Sequence, residues 1–174
     1  MSQSTSKLFS VSISVLRFLL PAWIGAAVLF VITSVAEQTA EDFGSVIRDQ
    51  LATIRFPLYY KFGTVIYIGS LLACAVAWKT SAKQHGRRAT IILLLMVVSA
   101  IVFAWDYFTV YSPLQALIIP PGQVRTQEFI TLHNWSRHAN ELHLMITLAA
   151  CVLALIPFTN GFALAPVAGT GGKR

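Results

Sequence analysis

An all-α, integral membrane four-helix bundle is the fold class this sequence predicts, and three observations predict it. The 174 residues are 56% hydrophobic but only 11% charged, with a mean hydropathy of +0.67, where an ordinary soluble domain carries about 25% charged residues. Too few charges remain to cover a water-facing surface, so the surplus apolar surface needs lipid as its solvent. Four apolar stretches of about 18 residues or more occur, each able to cross roughly 30 Å of hydrocarbon. These runs are continuous rather than alternating with a period of two, which favours helices over the strands of a closed barrel.

The first span is placed at residues 18–36, behind a cytoplasmic N-terminal tail of residues 1–17. Ser34-Val35-Ala36 resembles a signal-peptide cleavage site, but the apolar run before it is longer than a usual signal core and Pro21 falls in its first turn, where proline is tolerated. It therefore reads as a span. Phe43, Ile47, Leu51 and Ile54 then recur at helical spacing, with Arg48, Asp49, Gln50 and Arg55 around them and Pro57 after them. This pattern predicts a separate amphipathic helix, lying on the membrane surface or folded back on the bundle. The remaining spans are 58–78, 90–111 and 140–158, the last within a helix that begins near residue 126, and residues 159–174 form a flexible tail.

The net charge of +6 comes from thirteen scattered Lys and Arg, which signal topology rather than a nucleic-acid surface. Lys7, Arg17, Lys79, Lys83, Arg87, Arg88, Lys173 and Arg174 share one side, and Arg48, Arg55, Lys61, Arg125 and Arg137 the other. This eight-to-five bias places both termini in the cytoplasm, in the inner membrane if the cell is bacterial. Glu37, Glu41, Asp42, Asp49, Asp106, Glu128 and Glu141 all fall toward the outer side. The expected partners are the lipid bilayer and, within it, another membrane protein or a second copy of this chain. Nucleic acid is not among them. Cys74 and Cys151 both lie in apolar runs and read as small buried hydrophobes.

Lipid tails are as apolar as leucine, so helices associate in a bilayer by close approach at small residues. Gly69, Ala73 and Ala77 repeat every fourth position in the second span, as do Ala150 and Ala154 in the fourth. The second and fourth helices are expected to pack on these stripes, with Gly25 serving the first helix in the same way.

The chemistry is concentrated between Phe129 and Thr147. On a helix His133, Ser136, Asn140, His143, Thr147, Ala150 and Ala154 advance by three and four residues, a single stripe that is polar at its outer end and small at its inner end. A second sector holds Asn134, Arg137, His138 and Glu141, with Arg137 and Glu141 spaced to pair, and reads as a solvated or headgroup-facing surface. Asn140 and His143 fall inside the apolar span, where a polar group facing lipid is costly, so they should turn toward other helices or a wet cavity. Hydrogen-bond glue between helices is the plainer reading of the same stripe. Asp106, late in the third span, reaches the same depth, and His143, Arg137, Arg125 or Lys61 is its candidate partner. Asp106, His133 and His143 together form a set able to bind a cation or relay protons.

Other chemistries lack their patterns. His133, His138 and His143 step about 140° around a helix each time, so they do not converge on a metal. No Cys-x-x-Cys, His-Glu-x-x-His, Walker loop or dinucleotide fingerprint occurs. No metal, cofactor or catalytic residue is assigned, and His133 with Ser136 lacks an orienting acid, so an enzyme is not the favoured reading.

Three stretches resemble the transmembrane protein 205 family: Trp23-x-Gly25, Arg55-Phe56-Pro57-Leu58-Tyr59-Tyr60, and Leu132-His133-x-x-Ser136-x-x-x-Asn140, with Pro113 matching a family proline. His138, His143 and Asp106 fall outside that pattern. The resemblance implies a small four-helix membrane domain, and the family's link to tolerance of a platinum drug implies transport or trafficking. From the residues and the resemblance together, the expected role is a small transporter or transport accessory for a cation or small polar solute. The alternative is a structural or assembly subunit. The topology is tested by thiol labelling of intact cells or sealed vesicles: single cysteines at Gln84 and Gln123 should show opposite accessibility, with position 123 outside.

Overall fold

The computed structural model describes residues 3–158, so the expected tail at 159–174, with Lys173 and Arg174, lies outside the described residues. All regular structure among those residues is helical. α1 spans Gln3–Thr39, α2 Ser45–Thr80 and α3 Lys83–Trp105. The last runs on without a break through a π-helical segment, Asp106–Tyr111, into the short α4, Ser112–Ala116, and α5 spans Gln127–Leu155. Four continuous helices, from Gln3, Ser45, His85 and Gln127, are long and apolar enough to cross a membrane.

The first helix starts well before the expected residue 18. Phe9, Ile13, Leu16, Leu20, Trp23 and Ala27 advance by fours and threes and are buried, so the core face of α1 extends back through the segment expected to be a tail. Pro21 consequently lies in mid-helix, on an exposed face.

The expected separate amphipathic helix does not exist as its own element, because α2 is continuous from Ser45 and carries Pro57 in its interior. Its faces are also reversed. Ile47 and Ile54 are exposed while Asp49 is buried, because Asp49 finds partners in the 117–126 connection: it accepts from the Gly122 amide at 2.8 Å and pairs with Arg125. Gly122 has φ +91°, and a Cβ there would lie 2.8 Å from Val46 Cγ2, so the turn needs glycine on both conformational and steric grounds.

α5 begins where its capping chemistry places it: Thr126 is the N-cap, and its hydroxyl accepts from the Phe129 amide at 3.2 Å. At the other end Arg17 donates to the Ala154 carbonyl at 2.9 Å and Arg88 to the Leu153 carbonyl at 2.7 Å. Two cations thus serve the orphan carbonyls at the negative end of the helix dipole.

The long helices pack in a ring, α1 on α2, α2 on α3, α3 on α5 and α5 on α1. α2 and α5 lie across the diagonal, so the expected α2–α5 seam of small residues is not formed. A Cβ at Gly69 would meet Leu19 of α1 at 3.1 Å, which puts the Gly69, Ala73 and Ala77 stripe on the α1 side; Ala150 and Ala154 are fully buried on α5. Gly25 is exposed, with nothing within 4 Å of a Cβ. The close approach is made instead at Gly63, where a Cβ would lie 2.6 Å from Trp23 Cη2 and 2.7 Å from Phe103 Cζ.

The outward faces remain apolar, with Phe18 74%, Val65 68%, Phe108 71% and Met145 65% exposed. A surface of this kind is unsuited to water and suited to lipid.

Overpacking at a rigid aromatic contact costs about 1–3 kcal/mol. Gly63→Val is therefore expected to lower the thermal unfolding midpoint in detergent, while Gly25→Ala leaves it unchanged or raises it slightly.

Candidate functional site

Stripe periodicity brings Asn140, His143 and Thr147 of α5 to the bundle interior, and each is met there by a side chain from another helix. His143 and Thr147 are fully buried, as is Ser99 on α3. Tyr67, on α2, reaches across the diagonal and places its hydroxyl 2.7 Å from Ser99 Oγ, 3.1 Å from His143 Nδ1 and 3.1 Å from Thr147 Oγ1. Ser99 and Thr147 also donate to the His143 carbonyl, at 2.9 and 2.8 Å.

His143 Nε2 lies 2.8 Å from Asn140 Oδ1, which also accepts from the Tyr59 hydroxyl at 2.7 Å. Since an amide oxygen only accepts, Nε2 carries the ring hydrogen, and in the neutral imidazole Nδ1 accepts from Tyr67. Trp23 of α1 lies over the imidazole, with ring centroids 6.1 Å apart and 24° between planes, and Phe103 meets it edge-on. All four long helices therefore converge on His143.

One level nearer the 117–126 connection, Asp106 opens the π-helical segment. That segment closes its ring over five residues, with the Ser112 amide bonding to the Tyr107 carbonyl, and the Thr109 hydroxyl serves the Trp105 carbonyl at 2.6 Å. Asp106, Val110 and Tyr111 are all buried on it. Asp106 Oδ2 accepts from the Tyr60 hydroxyl at 2.5 Å. Its other oxygen is buried without a hydrogen-bond partner of regular geometry, and Ser136 stands beside the carboxyl.

None of the expected charge partners meets this carboxylate. Arg125 pairs with Asp49 instead, and Lys61 is exposed on the opposite side of α2, in a groove against α3. Glu141 approaches His138 at 3.4 Å rather than Arg137, and Arg137 makes no ion pair among the described residues. His133 stacks on Phe129 with centroids 5.9 Å apart and lies apart from His143. The expected trio of Asp106, His133 and His143 thus divides between three levels of the bundle. Among the described residues no group of three His, Cys, Asp or Glu side chains is placed to hold a metal ion.

A cleft links these levels. Its upper part, about 190 Å³, is lined by Asp49, Arg55, Arg125, Tyr111 and His133. Its lower part, about 200 Å³, is lined by Tyr59, Tyr60, His133, Ser136, Arg137 and Asn140. The two share Ser34, Phe56, Leu114 and His133, so they adjoin between α1, α2 and α5, and the lower one reaches Tyr60, behind which Asp106 lies outside the lining. At the rim Arg55 is paired with Glu37 at 2.7 Å.

Sequence reasoning did not assign Tyr59, Tyr60, Tyr67, Ser99 or Asp49 to the site. The available signal was hydroxyl-bearing aromatics at 59, 60 and 67 within one apolar span, whose oxygens have to find partners when buried. No family model, no curated protein and no solved structure matches the chain.

Tyr67→Phe would leave His143 Nδ1 without its donor in a medium that offers no replacement, a loss of about 1–3 kcal/mol. The thermal midpoint in detergent should fall clearly for Tyr67→Phe and less for Tyr59→Phe, whose partner Asn140 Oδ1 keeps its bond from His143.

Proposed function

We propose that this chain is a multi-pass membrane protein with both termini in the cytoplasm and the 117–126 connection outside. In this reading it is a small transporter or transport accessory that receives a cation or small polar solute in its outer half. The observation that carries the reading is the cleft that descends from the rim to Tyr60 and Ser136, behind which the buried Asp106 carboxylate stands with hydroxyl partners and no cation among the described residues. A carboxylate without a counter-charge in an apolar interior is costly, and a bound cation lowers that cost.

The polar stripe ends at Thr147. Below it Ala150, Ala154, Leu16, Leu20, Ile92 and Met96 fill the interior, so the passage is a blind site from the outer face. Transfer across the membrane then requires the inner half to open, or a partner to take the solute over. The three stretches that resemble the transmembrane protein 205 family support membership as a proposal, because Tyr59 bonds to Asn140 and Tyr60 reaches Asp106 beside Ser136.

A second reading, a structural or assembly subunit, is favoured by one observation: the Tyr67–Ser99–Thr147–His143–Asn140 network answers its hydrogen bonds with the chain's own atoms. Proteoliposome flux separates the two readings, with rubidium and methylammonium as probes. Asp106→Asn should lower uptake about tenfold or more, the loss expected of one charge-assisted contact. Uptake by Asp106→Asn and His143→Ala equal to that of the unaltered chain would leave the structural reading, and recovery with a fixed partner from native membranes would support it.

A further inference from the structure

We propose that the cleft takes a small zwitterion, its ammonium end toward Asp106 and its carboxylate end toward Arg137. This rests on the reading of the cleft as a solute site and names the class of solute.

The first support is a charge inventory. The charged side chains lining the two parts of the cleft are Asp49, Arg55, Arg125 and Arg137. Arg55 is neutralised by Glu37, and Arg125 by Asp49. Arg137 has no ion pair among the described residues, and behind the floor the Asp106 carboxylate has no cationic partner. Two charges of opposite sign without ion partners therefore flank the lower part of the cleft, Arg137 in its lining and Asp106 behind the Tyr60 and Ser136 that line it. A ligand with the complementary pair answers both, whereas a simple cation meets Arg137 and a simple anion meets Asp106.

The second support is the direction of the hydrogen bonds in the floor. Tyr60 spends its proton on Asp106 Oδ2 and Tyr59 spends its own on Asn140 Oδ1. Both phenols therefore keep only lone pairs for a ligand, and Ser136 adds a hydroxyl oxygen. Against these stands one amide donor, Asn140 Nδ2, since Asn140 Oδ1 is already occupied by Tyr59 and His143. A floor of acceptors backed by a carboxylate selects a group rich in donors, and an ammonium carries three. Phe30, Phe56, Tyr59 and Tyr60 form the walls around it, and aromatic faces attract such a cation. Arg137, in the lining of the same lower part, offers donors only, in the planar fork that suits a carboxylate.

The test is binding to the purified full-length chain in detergent by isothermal titration. The zwitterionic probes are glycine, β-alanine and γ-aminobutyrate, which vary the spacing between the charges. Butylammonium and butyrate are the single-charge controls. At least one amino acid should bind about tenfold or more tightly than either control. Asp106→Asn should remove the preference for that amino acid over butyrate, and Arg137→Gln, at an exposed position that does not hold the fold, its preference over butylammonium. Arg137→Lys should restore part of the latter. Butylammonium binding as tightly as every amino acid, with loss on Asp106→Asn, would overturn the zwitterion and leave the solute site standing. Binding of the amino acids unchanged in both Asp106→Asn and Arg137→Gln would overturn it as well. If no probe binds, the zwitterion is rejected, and the flux of rubidium and methylammonium decides the solute site separately.

Discussion

A histidine with no solvent exposure, set in the middle of an apolar helix, has to have each ring nitrogen answered by another side chain, because the medium around it supplies no hydrogen bonds. His143 meets that requirement through Asn140 on its own helix and Tyr67 from the diagonal one. The rest of the interior follows from the reach this demands. Tyr67 spans the bundle because α2 and α5 do not touch along their backbones, and the space between them is filled by Trp23 and Phe103, whose rings meet over Gly63. A larger residue at 63 would push those rings out of the position from which they cover the imidazole.

The polar groups of the bundle fall into two kinds. The deeper set, around Tyr67 and His143, is answered internally and holds three helices in one register; removing one member leaves the others unsatisfied, which is how such networks specify a single packing. The upper set, around Tyr60 and Asp106, is incomplete. It has a buried carboxylate with no cationic partner among the described residues, an aromatic cleft that reaches the Tyr60 in front of it, and in that cleft's lining Arg137, which has no ion pair among the described residues. The first set explains why the helices stay in place, and the second is where the proposed solute would bind. Their coupling is direct, because Asn140 belongs to both: it lines the cleft and bonds to His143.

Much of this was legible in the sequence, and the exceptions have physical reasons. The α5 stripe could be read because helical periodicity is a local property, and the start of α5 because Thr126 is a local cap. Four apolar runs long enough to span were equally plain. What could not be read was which helix faces which. Small residues in α2 and α5 show that each has a close neighbour without saying which one, and Gly69 turned out to face Leu19 of α1. Gly63 stands outside any repeat, so only the two rings against it reveal its role. Asp49 looked like a surface charge because its partners, Gly122 and Arg125, lie 73 and 76 residues away. The helical start of α1 was readable from Phe9, Ile13, Leu16 and Leu20 but was obscured by the serines between them.

The π-helical segment has a consequence for what lengths of chain this architecture accepts. An α-helix turns about 100° for every residue, so a helix that holds one residue more than its hydrogen-bond ladder needs must widen locally or twist everything beyond it out of phase. Asp106–Tyr111 is such a widening, and it lets Phe103 and Asp106 on one side and Leu114 and Ile118 on the other all point inward. Deleting one residue inside it would restore a regular ladder and leave Leu114 and Ile118 facing inward, whereas a regular ladder with that residue kept would swing them about a quarter turn toward the outside. The segment acts as a phase corrector, and the carboxylate sits at its first position.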